Sequence, residues 1–134
     1  MIPLECLAVA VYFEARGENI EGQIAVAQVV MNRVESDRWP DNICDVVFQD
    51  KQFSFTHDGL SDKIDTYSSK NIIDWKAALV ARAVALQVYE GGDTQITSTH
   101  YHALSVSPSW AKHYKLDGRI GDGNHVFYTA PNGK

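Results

Sequence analysis

A chain of 134 residues, 45% apolar and 22% charged, fits one globular domain with a buried core and not a disordered segment. With 12 Lys and Arg against 17 Asp and Glu, its net charge of −5 argues against a nucleic-acid module and against electrostatic docking to an anionic membrane or polymer. No run reaches the roughly 18–20 apolar residues of a membrane helix, and Met1-Ile2-Pro3-Leu4-Glu5 lacks the basic start of a signal peptide.

Leu4 to Ala15 reads as a helix. Leu4, Leu7, Ala8, Val11 and Tyr12 recur at helical steps, and Pro3 suits a helix start. Gly17 is a natural stop, because glycine tolerates the left-handed conformation. Asn19 can cap a second helix with a stripe of Ile24, Ala27, Met31 and Val34, widened by Val26 and Val30 and ending near 35–37. So short a turn predicts that the two helices pack antiparallel. A short helix over 42–48 follows, with Asp41 as its cap. Residues 51–69 are rich in Ser, Asp, Thr and Gly and read as loop, with an extended piece at Gln52-Phe53-Ser54-Phe55.

Ile72 to Glu90 is the strongest helix, free of Gly and Pro and closed by Gly91-Gly92. Its apolar residues run nearly all round, so it is expected to be the central buried helix. Gln95 to Tyr101 alternates like a strand, and His125-Val126-Phe127-Tyr128 forms a second. Cys6 and Cys44 are far apart and lie in apolar patterns, so two buried thiols are expected; spacing alone cannot establish a disulfide. The sum is an α+β domain, mostly helical, with a small β region.

Glu14 is the first candidate for chemistry. It ends an apolar helix, where burial and the helix dipole both favour its protonated form, as a general acid at a glycosidic oxygen requires. A solvated Glu14–Arg16 pair at the helix end is the plain alternative. Glu18 is the obvious second carboxylate, but Gly17 between them breaks the helical spacing a carboxylate pair needs. His100-Tyr101-His102 puts two imidazoles on one strand face, which makes a metal-dependent amidase or peptidase arguable, though HExxH is absent. Aromatic residues interleaved with amides suit a sugar-binding groove, and a non-catalytic glycan-binding module would use the same residues. There is no GxSxG elbow and no phosphate-binding loop.

The run Tyr12-Phe13-Glu14-Ala15-Arg16-Gly17-Glu18 leads into Glu21-Gly22-Gln23-Ile24-Ala25-Val26-Ala27 and Val30-Met31-Asn32-Arg33-Val34. Trp39-Pro40, Ile43-Cys44, Gln52-Phe53-Ser54, Thr99, Tyr101-His102, Pro108, Trp110 and His125-Val126-Phe127-Tyr128 follow in order. This pattern resembles the spore-cortex-lytic and cell-wall hydrolase family of the SleB/CwlJ type, also found in phage lysis proteins. The resemblance covers nearly the whole chain and implies a lysozyme-like, lytic-transglycosylase-like fold forming one catalytic domain over 1–134, with no separate wall-binding domain.

The resemblance further implies a substrate of peptidoglycan glycan strands, cut between N-acetylmuramic acid and N-acetylglucosamine, with Glu14 as the single catalytic acid and base and no metal or other cofactor. Glu18, Gln23, Asn32, Gln52, Ser54, Tyr101, His102 and Trp110 are the expected substrate-binding residues. The protein is expected to be a monomer without stable membrane association. It would be made in the cytoplasm and reach the wall in a phage or prophage lysis setting. The run Gly121-Asp122-Gly123-Asn124-His125 is longer than the family's usual link.

Overall fold

Proline at the first helical position opens α1, Pro3–Ala15, in the computed structural model, which describes residues 1–49, 72–93 and 95–131. Cys6 to Tyr12 are buried without a gap, so this helix, and not the long one, forms the centre of the core. It packs against each of the other three helices. The helix stops where expected, but not by a left-handed residue. Arg16 keeps right-handed angles, φ −61 and ψ −21, and the Glu18 N–H donates to the Ala15 carbonyl at 2.9 Å.

Helix α2, Ile20–Val34, is capped by Asn19, whose Oδ1 accepts from the Gly22 N–H at 2.9 Å. Its buried face includes Ala27 and Val30 toward α1, and Val26 and Val29 toward the sheet residue Phe127. Helix α3, Ile43–Phe48, is capped by Asn42 in place of the expected Asp41, because the Asn42 Oδ1 accepts from the Asp45 N–H at 2.9 Å. The two cysteines are not free thiols. Cys6 and Cys44 form a disulfide with Cα atoms 5.2 Å apart, tying α1 to α3. The apolar surroundings that suggested inert thiols are also what brings the two sulfurs together.

Helix α4, Ile72–Glu90, has the expected bounds and ends at Gly92 with φ +65. It is not central. Ala78, Ala81, Val84, Ala85 and Val88 face the core, while Leu79 (47% exposed) and Leu86 (44%) face outward. Lys76 and Arg82 already set its solvent side, a signal that apolar content alone conceals.

The sheet has three antiparallel strands in the order β1-β3-β2: β1 is His100–Ala103, β2 Lys115–Arg119 and β3 His125–Thr129. Strand β1 starts five residues later than the alternation predicted. Side chains of α2 occupy the carbonyls upstream of it: Asn32 Nδ2 donates to Ile96 and Ser98, each at 2.9 Å, and Arg33 Nε donates to Thr99 at 2.7 Å. Those groups are therefore fixed by a helix and not by a neighbouring strand. Strand β2 was not anticipated; its Lys-Leu-Asp-Gly-Arg sequence is polar, mostly exposed and irregular between Leu116 and Gly118. A 3₁₀ turn, Ser109–His113, links β1 to β2. The expected extended piece at Gln52–Phe55 lies outside the described residues.

Candidate active site

The last turn of α1 carries Glu14 out of the core toward β1. Because side chains alternate along a strand, Tyr101 faces the helices while His100 and His102 face away. The Tyr101 hydroxyl donates to Glu14 Oε1 at 2.9 Å. Burial, then the Glu14 carboxylate beside it, push that hydroxyl well above its ordinary pKa, so it stays protonated and keeps donating. On the same face the register places Phe127 opposite Tyr101 and His125 opposite Ala103. The His125 ring meets the Tyr101 ring edge-on at 5.0 Å.

Arg33, 5% exposed, is a cation that interacts electrostatically with both members of this pair. Burial lowers its pKa to about 10, while Tyr101 and Glu14 pull it back up, so it remains charged at neutral pH. Its guanidinium also lies 5.2 Å from the Trp39 ring centre. Arg16 reaches back to Tyr12: its Nη1 donates to the Tyr12 hydroxyl at 2.6 Å, and its Cζ sits 4.8 Å from that ring's centre.

Glu18 lies beyond the end of α1, so it shares no helix face with Glu14. Its side chain is 8% exposed. Oε1 accepts from the Asn124 N–H at 2.6 Å, and Oε2 accepts from the Asn124 amide at 3.1 Å. His125 Nδ1 lies 3.6 Å from Oε1. Gln23 is buried directly beneath, its Nε2 donating to the Glu18 carbonyl at 3.1 Å. The structure thus brings Glu14, Tyr101, Glu18 and Gln23 into one neighbourhood, with Arg33, Asn124 and His125 added.

Other expected positions lie elsewhere. Asn32 bridges Gln28 to the carbonyls before β1. His102 sits on the outer sheet face, where its Nδ1–H donates to the Ala103 carbonyl at 2.8 Å and its Nε2 accepts from the Tyr128 hydroxyl at 2.9 Å. Trp110 shares that face, stacked on Tyr114 with centroids 5.5 Å apart. Gln52 and Ser54 lie outside the described residues. Among the described residues no three His, Cys, Asp or Glu side chains converge as metal ligands. Arg33 and His125 were not chosen from the sequence as site residues. Strand parity could have grouped His125 with Tyr101, but only once the β1–β3 register was known.

The helix-terminal glutamate bonded to a tyrosine of a small antiparallel sheet sits in a fold of the lysozyme-like, lytic-transglycosylase type. The chain belongs to the cell wall hydrolase family, whose model matches residues 17–128. It is 46% identical over 125 residues to a spore cortex-lytic enzyme of Halalkalibacterium halodurans, covering 92% of this chain and 34% of that one. The spore cortex-lytic enzyme of Bacillus subtilis is 45% identical over 125 residues, covering 92% and 36%. The chain therefore spans about a third of the length of these curated relatives.

Two solved structures are similar. The catalytic domain of the germination-specific lytic transglycosylase SleB from Bacillus anthracis superposes with a TM-score of 0.73 at 28% identity, over 95% of this chain and 93% of that one. The catalytic domain of Bacillus cereus SleB gives 0.66 at 30% identity, over 95% and 89%.

Proposed function

We propose that this domain cleaves peptidoglycan glycan strands between N-acetylmuramic acid and N-acetylglucosamine as a lytic transglycosylase, with Glu14 as its single general acid and base. The observation that carries the reading is the Tyr101–Glu14 hydrogen bond at the end of a buried helix, with Glu18 engaged by Asn124. Tyr101 donates to Oε1, and in its acid form the Glu14 carboxyl carries a proton of its own.

Glu14 gives that proton to the glycosidic oxygen as the bond to the muramic C1 breaks. The acetamido oxygen of the same sugar bonds to C1 and takes the place of a protein nucleophile. Glu14, now a carboxylate stabilised by the Tyr101 hydroxyl and the Arg33 cation, takes the proton of the C6 hydroxyl. The C6 oxygen then displaces the acetamido oxygen at C1, closing a 1,6-anhydro ring and restoring protonated Glu14. Water in place of the C6 hydroxyl would give hydrolysis by the same residue. Gln52 and Ser54 remain proposed glycan contacts, while Gln23, 4% exposed, is held beneath Glu18.

The Cys6–Cys44 disulfide supports action outside the reducing cytoplasm. We propose that a monomer works there on the wall, and a phage or prophage lysis setting is one context that fits. The test is mass spectrometry of soluble products from purified peptidoglycan, with Glu14→Gln run alongside. Anhydro-ended muropeptides are expected from the native protein. The variant is expected to lose at least about a hundredfold in rate. Undiminished cleavage by the variant, or release of free stem peptides, would overturn the reading.

A further inference from the structure

We propose that His125 is a positioning residue: set beside Glu18 by the tip of the β2–β3 hairpin, it holds the Tyr101 ring so that its hydroxyl stays on Glu14. The proposal rests on the assignment of Glu14 made above.

The hairpin tip is built to reach the turn between α1 and α2. Gly121 (φ +65) and Asp122 (φ 56) both adopt the left-handed conformation, and the Gly123 N–H returns to the Ile120 carbonyl at 3.4 Å. A Cβ on Gly121 would stand 2.6 Å from Glu21 Oε2 and 2.8 Å from Asn19 Oδ1. One on Gly123 would stand 2.5 Å from Glu18 Oε1. Glycine is therefore required at 121, and at 123 any side chain would displace the Glu18 carboxylate from its place. Asn19 Nδ2 donates to the Gly121 carbonyl. Arg119 closes the tip from within, donating to the Gly123 and Asp122 carbonyls at 2.9 Å each.

This docking sets the residue that follows. With Asn124 bound twice to Glu18, His125 enters β3 with its Nδ1 3.6 Å from Glu18 Oε1. Its ring is pressed between that carboxylate and the Tyr101 edge at 5.0 Å, with Phe127 at 6.3 Å. Its side chain is 14% exposed, which leaves no room for a glycan ring on it. A chain of contacts thus runs from the hairpin tip through Glu18, His125 and Tyr101 to the Glu14 carboxylate. His125 itself donates nothing to Glu14; it acts through Tyr101.

The experiment compares His125→Ala, His125→Phe and Tyr101→Phe with the double variants, measuring kcat and KM on solubilised glycan strands and Tm on the same samples. His125→Ala should lower kcat about tenfold with KM nearly unchanged. His125→Phe keeps an aromatic edge against Tyr101 and should recover most of that loss. In the Tyr101→Phe background His125→Ala should cost little more, because the hydroxyl it positions is already gone. A loss in KM, fully additive effects, or full activity in His125→Ala would each overturn the proposal. Glu14→Gln is the control: if it stays active, the Glu14 assignment itself has failed. If it is dead while His125→Ala is normal, only the positioning role falls.

Discussion

The two faces of the small sheet hold similar residues and do different things. On the inner face Tyr101, His125 and Phe127 look toward the helices, and the Tyr101 hydroxyl meets a carboxylate delivered by α1. On the outer face His102 and Tyr128 bond to each other at 2.9 Å. There His100 is ringed by Trp39, Trp110 and Tyr114 at 5.6, 5.0 and 4.7 Å. Each face has histidine, tyrosine and further aromatic rings. The residue opposite makes the difference. A strand supplies side chains to both faces by parity, and among the described residues it is the face meeting the end of α1 that receives the Glu14 carboxylate.

The comparison can be broken at several points. The largest effect is expected on the inner face, where Glu14→Gln should cost at least about a hundredfold in product release while Tm holds. Next comes the mount of the helix that bears Glu14. Removing the Cys6–Cys44 bridge, by Ser at both positions, should cost about 2–4 kcal/mol of stability, read by urea denaturation. An unchanged midpoint would mean that packing alone holds α1 to α3.

Matched tyrosines give the sharpest contrast. Tyr101→Phe should slow turnover about tenfold, the order expected for a lost hydrogen bond to a charged group. Tyr128→Phe, one face away, should leave turnover within about twofold, because its hydroxyl serves only His102 among the described residues. Equal losses would erase the distinction between faces. Trp110→Ala should lower Tm yet spare turnover on soluble strands, since its ring packs on Tyr114 and Tyr128. Loss of turnover without loss of Tm would return Trp110 to the glycan groove.

The smallest effect concerns pH. Burial, with Arg33 and Arg38 adding to it, lowers the His100 pKa to about 4 from an ordinary 6.5. The unfolded chain therefore binds more protons between those values, and Tm should decline as pH falls from 6.5 toward 4. His100→Phe should flatten that part of the curve; an identical slope would assign it to other groups.

How much of this was legible beforehand varies with the range of the interaction. The bounds of α1, α2 and α4 follow from periodicity and from local stops such as Asn19 and Gly91-Gly92, because helical bonds reach only four residues. Glu14 stood out for the same local reason, as a carboxylate at the end of an apolar run. The misread features all depend on distant partners. Central position went to α1 and not α4, because three helices chose which apolar surface to cover. Two thiols became a disulfide across 38 residues. The carbonyls of Ile96, Ser98 and Thr99 went to Asn32 and Arg33, shortening β1. His100 and His102, which made a metal site arguable without establishing one, both pack against Trp110.

By itself, then, the sequence determined the bounds of α1, α2 and α4 and an α+β, mostly helical chain, because each is written in spacing and composition within a few turns, and it singled out Glu14 as the candidate acid. Only the tertiary structure decided which face of β1 meets that acid, that Glu18 serves the hairpin, and that His125 backs Tyr101. Those are choices among partners up to 106 residues apart in the chain, and register and packing make them, not any local preference.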